Sequence, residues 1–259
     1  MACYDTYRDQ LASLYYGHAL WVPDPSELYD RVRVGDVGYV KQGHFLRMFN
    51  ALLPANDDAQ EYGVPEGFVP LNMGPFKNIR KLNLFHGDYC SNTVTVDHGD
   101  RHQAAGPDED TSASFRCRSN KGAFLSIPLN GVREDAIRTK AFGSYIRRHC
   151  DSWLEFASVN EIDVRLEDII FVTGCDLTAS WAMAVFVNSL DPEISLNARI
   201  SEAGSARFQW APTNQPHHNE PNQNVVKSHC VFIRGFRAKR ILPFFKTLRA
   251  AAEPRPDSP

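Results

Sequence analysis

The last third of the chain is a run of short apolar segments separated by polar turns, and it limits the fold more than any other feature. The run begins at Asp168-Ile-Ile-Phe-Val-Thr-Gly-Cys-Asp176 and extends to Cys230-Val-Phe-Ile-Arg-Gly-Phe236. Short apolar segments bounded by turn residues are typical of β-strands. We predict a C-terminal meander with strands near 168–173, 180–188, 194–200, 206–210 and 229–236.

The first half of the chain predicts further strands. Val37 and Tyr39 alternate with small or polar residues, Lys41-Gln-Gly43 supplies a turn, and Phe45 begins a second alternating segment. This pattern predicts a β-hairpin within 32–49. Shorter strands are predicted at 81–85, 91–96, 113–117 and 123–129.

Two segments have helical spacing. Leu11, Leu14 and Tyr15 predict a short helix over 4–16, and a long helix is predicted over 132–158. In the long helix one apolar stripe should face a sheet. The stripe consists of Phe142, Ile146, Cys150, Trp153 and Ala157.

These elements predict an α+β fold. Antiparallel β-sheets, built from N-terminal hairpins and the C-terminal meander, pack against one long helix, with a short N-terminal helix. We expect a single domain over 1–248 and a disordered tail over 249–259. Mobile loops near 54–75, 97–112 and 211–227 are where function would be displayed.

Composition restricts the class of protein. The 259 residues carry a net charge of −3, which argues against a general nucleic-acid binder. Six cysteines are scattered without a CxxC pair, as expected for reduced thiols. The N-terminus lacks the pattern of a signal peptide, and no apolar run has the length of a membrane span. We therefore expect an intracellular, cytoplasmic protein with no membrane span.

Several blocks distributed along the chain carry a family resemblance. They are Gly17-His-Ala-Leu-Trp-Val-Pro-Asp-Pro25, Val34-Gly-Asp-Val-Gly-Tyr39, 45–49, Gly63-Val-Pro-Glu-Gly-Phe68, Arg133-Glu-Asp135, Ser152-Trp153, Val172-Thr-Gly-Cys-Asp176 and Cys230-Val-Phe-Ile-Arg-Gly-Phe236. These blocks resemble a functionally uncharacterised family of proteins from mushroom-forming fungi. The resemblance covers almost the whole chain and implies one shared architecture, with relatives that occur beside signalling or repeat modules in larger fungal proteins. It implies no catalytic residues.

Cys175 and Asp176, together with His229, are the candidate catalytic residues. A cysteine, a histidine and a carboxylate can act as nucleophile, base and orienting group if the fold brings them together. The commoner interpretation is a tight turn, with Gly174 for the backbone and Cys175 as a small buried residue. The sequence leaves both open and favours the turn.

Two loops offer candidate metal ligands. His98 and His102 lie in one polar loop, and His217 and His218 lie in another. Zinc sites usually combine ligand pairs on a rigid frame, whereas these histidines lie in polar loops where solvated side chains are common. We predict no metal and no cofactor.

A basic segment is the candidate surface for an anion or an acidic partner. It contains Arg234, Arg237, Lys239 and Arg240, interleaved with Phe232 and Phe236. Alternation along a strand places Arg234 and Arg237 on opposite faces, so the charges do not form one stripe. A charged sheet edge is the commoner interpretation.

The function predicted best is a recognition module in fungal sensing or signalling that binds a protein or small-molecule ligand, without enzymatic activity. The alternative is a hydrolase or transferase that uses Cys175 and Asp176 with a histidine. A third, less favoured hypothesis is a membrane-perturbing β-protein, because the strands from 180 to 210 are amphipathic. The ligand, the oligomeric state and the biological trigger are not predicted.

Overall fold

The structure, a computed structural model, describes most of the chain. The described residues are 2–26, 30–73, 79–98, 113–137, 140–187, 193–196, 206–211, 226–242 and 245–250. The predicted loops near 97–112 and 211–227 and the predicted tail over 249–259 lie almost entirely outside these ranges.

Antiparallel strands and two α-helices make up the regular structure of the described residues, which confirms the predicted α+β class. The helices are α1 (Cys3–Leu11) and α2 (Lys140–Val159), with 3-10 turns at Ala12–Leu14 and Leu166–Asp168. The strands are β1 (His18–Ala19), β2 (Asp36–Lys41), β3 (His44–Asn50), β4 (Ile79–Leu84), β5 (Gly87–Cys90), β6 (Val94–His98), β7 (Ala113–Cys117), β8 (Lys121–Ile127), β9 (Gly131–Ala136), β10 (Ile170–Thr178), β11 (Trp181–Val187), β12 (Glu193–Leu196), β13 (Ala206–Ala211), β14 (His229–Leu242) and β15 (Phe245–Ala250).

The chain divides into two compact units. The large unit takes its residues from 15–85, 130–179 and 220–259, and the small unit from 1–14, 86–129 and 180–219. That these two units form a single domain over 1–248 stays a prediction.

The large unit is built on one eight-stranded sheet. Its central order is β1-β14-β10-β2-β3, and β9, β4 and β15 extend it by pairing with β10, β9 and β14 respectively. Strand β10 is buried on both faces: Phe171 belongs to the apolar core beside α2, while Ile170 and Val172 belong to a second core. Because successive side chains of a strand point to opposite faces, two covered faces require a nearly continuous apolar sequence.

Helix α2 packs its apolar stripe on this sheet, as predicted. Trp153 lies edge-on to Phe49 of β3, with ring centroids 5.9 Å apart, and 6.1 Å from the ring of Phe171 on β10. The buried members of the stripe are Phe142, Ile146, Cys150, Trp153 and Ala157.

The predicted start of the long helix is wrong. We placed it at 132, but residues Gly131–Ala136 form strand β9 and the helix begins at Lys140. Glu134 and Asp135 fit the first turn of a helix, because acidic side chains are favourable at that end of the helix dipole. In the structure these residues bind basic side chains from distant strands. Such tertiary ion pairs decide the conformation against the local preference.

The predicted hairpin is formed by β2 and β3, with the turn at Gln42 and Gly43. Both turn residues have positive φ, 52° and 83°, which matches the twist of a two-residue hairpin. The long segment after this hairpin packs through Phe68, whose ring lies edge-on 5.8 Å from Phe49. Tyr62 is largely exposed, and Phe76 lies outside the described residues.

The small unit contains two sheets of its own. One has the order β13-β11-β8-β5 and the other β12-β7-β6. Phe115 of β7 and Phe124 of β8 are stacked in its core, with centroids 3.7 Å apart. The strands of the last third therefore do not pair in chain order: β10 and β14 pair with each other, β11 with β13, and β12 with β7. Alternation specifies which face of a strand is apolar but not its partner.

Replacing Trp153 with alanine should destabilise the large unit strongly. The indole is almost fully buried between α2 and the sheet, so its removal leaves a cavity and is expected to cost about 3–5 kcal/mol. The control is Glu155→Ala, an exposed position on the same helix, which should change stability little. Urea unfolding followed by tryptophan-independent circular dichroism measures both. Equal losses in the two variants would contradict this packing.

Candidate functional site

Cys175 and Asp176 lie inside strand β10, so the predicted tight turn at this position is not formed. The strand continues because β9 and β14 pair with it on both sides. Asp176 stands opposite Arg133 of β9, and Gly174 stands opposite Arg234 of β14. Both Cys175 and Asp176 are fully buried. The residues with candidate chemistry are therefore in the interior of the sheet.

The carboxylate of Asp176 is bound by two arginines. Arg133 donates from Nε to Oδ1 at 2.9 Å and from Nη2 to Oδ2 at 2.6 Å. Nη2 of Arg234 lies 2.9 Å from Oδ1. A charged group can be buried at tolerable cost only when it is paired and hydrogen-bonded. Both oxygens of Asp176 are thus engaged in holding β9, β10 and β14 together.

Arg234 links a second carboxylate to the same group. Its Nε donates to Oδ1 of Asp135 at 2.6 Å, and its Nη1 donates to the backbone oxygen of Tyr16 at 2.9 Å. Burial acts to lower the pKa of Arg234, but the charges and hydrogen bonds of Asp176 and Asp135 outweigh it. The pKa of Arg234 is therefore raised, and the guanidinium stays charged. We call Arg133, Asp135, Asp176 and Arg234 the arginine–aspartate cluster.

Gly174 leaves the space in which this cluster packs. A Cβ at this position would collide with Oδ1 of Asp135 and would lie 2.8 Å from Nε of Arg234. No larger residue fits without displacing the ion pair. The glycine in Val172-Thr-Gly-Cys-Asp176 is therefore explained by close packing of an ion pair on the strand backbone, where we had assigned it to a turn.

Tyr16 covers the cluster with its ring. The guanidinium carbon of Arg133 lies 4.8 Å from the ring centroid, within the range of a cation–π interaction. The ring also lies 5.7 Å from that of Phe232 on β14. An aromatic cover lowers the access of water, which strengthens the ion pairs beneath it.

The thiols in this region are protonated at neutral pH. Burial raises the pKa of Cys175 well above its ordinary value, and Cys230, Glu134 and Asp176 raise it further. The Cys175 thiol donates to the backbone oxygen of Val32 at 3.7 Å. Because the thiolate is the nucleophilic form, this environment does not activate Cys175.

His229 has a carboxylate partner, but it is not Asp176. Its Nδ1 lies 2.7 Å from Oδ1 of Asp24. His44 also lies close to Asp24: burial lowers the pKa of His44, while the backbone and carboxylate of Asp24 oppose that shift. Within the part of the chain that the structure describes, no hydrogen bond or ion pair joins Cys175 or Asp176 to a histidine.

The basic segment does not form one surface. Arg234 is buried in the arginine–aspartate cluster. Arg237 is half-buried near Asp168, whose pKa is lowered chiefly by Arg165 and to a smaller extent by Arg237. Lys239 is exposed, and the side chain of Arg240 lies outside the description. Strand β14 continues to Leu242 and pairs with β15, so these residues do not lie along an open edge.

The candidate metal ligands are mostly outside the described residues. This holds for His102, His217, His218 and the side chain of His98. Among the residues that are described, no group of three His, Cys, Asp or Glu side chains could hold a metal ion.

In comparisons with known proteins, no family model, no curated protein and no solved structure matches the chain. Neither helix in the described ranges carries an apolar stretch long enough to cross a membrane.

The pairing of the four cluster residues is not among the predictions from the sequence. Those predictions place Arg133 and Asp135 in the long helix, Asp176 in a candidate catalytic group and Arg234 on a candidate anion-binding surface. The available signal was a charged residue within each of two apolar, buried segments, Asp176 in β10 and Arg234 in the first part of β14, 230–235. Two charges of opposite sign, each in a buried strand, predict an ion pair.

A second buried polar group surrounds Asp36 at the start of β2. Its carboxylate accepts from Nδ2 of Asn50 at 2.8 Å and from the backbone N–H of Arg33 at 2.7 Å, and Nη1 of Arg47 lies 3.7 Å away. The side-chain amide of Gln60 binds the backbone of Asn50 twice: its Oε1 accepts from the Asn50 N–H and its Nε2 donates to the Asn50 carbonyl oxygen, each at 2.8 Å. These contacts attach the long segment after the hairpin to strand β3.

Replacing Asp176 with asparagine should destabilise the sheet by about 3–5 kcal/mol, because it leaves two arginines without their shared buried anion. The matched control is Asp168→Asn, which breaks an ion pair with the exposed Arg165 and should cost at most about 1 kcal/mol. Urea unfolding at neutral pH measures both variants. A cost for Asp176→Asn no greater than that of the control would contradict the role of the cluster.

Stability should depend on the titration of Asp36. Burial raises the pKa of Asp36 from 3.8 to about 6, although Arg47, the Arg33 N–H and Asn50 act to lower it. Between pH 3.8 and about 6, the folded protein therefore binds a proton at the Asp36 carboxyl that the unfolded chain releases. The extra free energy of unfolding from this proton is fully present below the unfolded pKa. It is lost as the pH rises through the folded pKa, by up to about 3 kcal/mol.

The comparison of wild type with Asp36→Asn isolates this effect, because groups with lowered pKa such as Asp168 occur in both proteins and cancel. The unfolding free energy of wild type, minus that of the variant, should fall as the pH rises from 4 to 7. Urea titrations across this range measure it. A difference that is constant or increases would contradict the raised pKa.

Proposed function

We propose that this protein is a recognition module without enzymatic activity, which acts inside the cell in fungal sensing or signalling and binds a protein or small-molecule ligand. One observation carries the proposal: the side chains best suited to catalysis are engaged in holding the sheet together. Asp176 is fully buried with both oxygens bound by arginines. Cys175 is fully buried with a raised pKa.

The alternative is a hydrolase or transferase that uses Cys175 and Asp176 with a histidine. The pairing of His229 with Asp24 at 2.7 Å favours it in part, because a carboxylate that orients an imidazole is a common element of general-base catalysis. A nucleophile must lie within hydrogen-bond reach of that base. The Cys175 thiol instead donates to the backbone oxygen of Val32, which weighs against this hypothesis.

Labelling with iodoacetamide separates the two functions. At mildly alkaline pH the folded protein should leave Cys175 and Cys230 unmodified, because both are buried and have raised pKa values. After unfolding in urea all six cysteines should react, which provides the control. Mass spectrometry identifies the labelled residues. Labelling of Cys175 in the folded protein at the rate found in urea would favour the enzyme.

Binding itself is tested by capture from an extract of mushroom mycelium. The wild-type chain and Cys175→Ala, checked for folding by circular dichroism, should retain the same protein or small molecule. Catalysis would be favoured if wild type converts the captured compound and the alanine variant does not, or if the alanine variant alone loses capture. Failure of both proteins to retain anything would contradict the recognition function.

A further inference from the structure

Strand β4 forms an exposed edge of the large sheet. All six of its residues, Ile79–Leu84, pair with β9 on one side, and the structure shows no other strand beside it among the described residues. Four consecutive residues, 80–83, are exposed. Strand β3 at another edge is buried over most of its length. An exposed edge presents backbone N–H and C=O groups to which a further strand can bind.

Both faces of this edge are cationic. Arg80 and Lys81 are adjacent in β4, so their side chains project to opposite faces of the sheet. Lys81 binds Glu134 of β9 at 2.8 Å yet keeps 64% of its side chain exposed. Arg80 stands opposite Asp135, whose carboxylate is already bound by Arg234.

The acidic residues nearby do not balance these charges. Glu134 binds Arg31 as well as Lys81, and Asp135 belongs to the arginine–aspartate cluster. On β4, on β9 and among their described ionic partners, five cationic side chains accompany three carboxylates. They are Arg31, Arg80, Lys81, Arg133 and Arg234 with Glu134, Asp135 and Asp176. The edge therefore carries a positive excess.

Apolar side chains continue the same surface. Leu82, on the face of the sheet that carries Arg80, is 44% exposed, and Phe85 directly after the strand is 69% exposed. A strand that binds here would place alternate side chains beside these groups. The matching sequence has two adjacent acidic residues near Arg80 and Lys81 and an apolar residue near Leu82.

We propose that β4 binds an extended acidic segment of a partner protein, which adds to the large sheet as a further strand. This rests on the proposed recognition function and names its surface and its class of partner. A second copy of the chain fits less well, because β4 paired with itself would bring two more cations to an edge that already has a positive excess.

The proposal is tested with a random heptapeptide library on the whole 259-residue chain. Wild type should select peptides with two adjacent acidic residues, and should bind the best of them at least about fivefold more tightly than the same peptide with lysines in their place. The variant Arg80→Glu/Lys81→Glu should reverse this preference. If it does not fold, Arg80→Glu alone, which keeps the Lys81–Glu134 pair, should reduce the preference.

The matched control is Arg147→Glu/Arg148→Glu, which makes the same charge change at two adjacent exposed residues of α2. It should bind the selected acidic peptide as wild type does. If the control also reverses the preference for acidic peptides, the peptides respond to the net charge of the protein and not to a site at β4, and the proposal is overturned. So would selection of peptides without acidic residues by wild type, or no selection at all.

Strand addition is tested separately from charge by methylating the peptide backbone. A strand uses only the N–H groups along one of its edges, which come from every second residue. Of two peptides N-methylated at alternate sets of amides, one should lose binding and the other should keep it. Equal binding of both would exclude an added strand.

Three further outcomes complete the test. A dimer in sedimentation velocity that the Arg80→Glu/Lys81→Glu variant abolishes would assign the edge to a second copy. If the edge variants retain everything that wild type captures from mycelial extract, the site is elsewhere and only the β4 proposal fails. If wild type captures nothing and selects no peptide, the recognition function fails with it.

Discussion

The arginine–aspartate cluster is the constraint on which the large sheet depends. Asp176 is removed from water inside β10, and among the described residues the guanidinium groups of Arg133 and Arg234 compensate its charge. A carboxylate buried without partners costs several kcal/mol, so any arrangement of the strands that separates these residues is strongly disfavoured. A slip of one residue between β10 and either neighbour would turn these side chains to opposite faces. The ion pairs thus select one register for three strands.

The same constraint explains why the most polar residues of the core are poor evidence for catalysis. A cysteine beside an aspartate attracts attention in a sequence, because both are common in active sites. Here the aspartate binds arginines, and burial beside other acidic groups raises the pKa of the Cys175 thiol. Exposed charges of the large sheet lie elsewhere, among them Arg80 and Lys81 on β4 and Lys239 on β14. Polar groups in the interior specify the fold, while the exposed ones remain accessible from solvent.

Local patterns predicted the elements that depend on neighbouring residues. The stripe of α2 and the hairpin of β2 and β3 follow from spacing over a few residues, and both were found where apolar periodicity and the Gln42-Gly43 turn indicated. Strand β9 was missed because its acidic residues suit a helix start as well as they suit a strand. The distinction comes from Arg234, which binds Asp135 from 99 positions away. Periodicity contains no information over such a distance.

The sequence alone determined that the chain folds as an α+β protein with antiparallel sheets, because alternation and helical spacing are written in adjacent residues. It also determined which residues could carry chemistry, among them Cys175, Asp176 and Arg234. Only the tertiary structure decided their environment: a buried ion-pair cluster around Asp176, a protonated thiol, and an exposed cationic edge at β4. The physical reason is that burial and charge pairing arise between strands that the chain brings together from distant positions. The run of strands in the last third thus identifies the core, and its partners elsewhere in the chain define what that core can do.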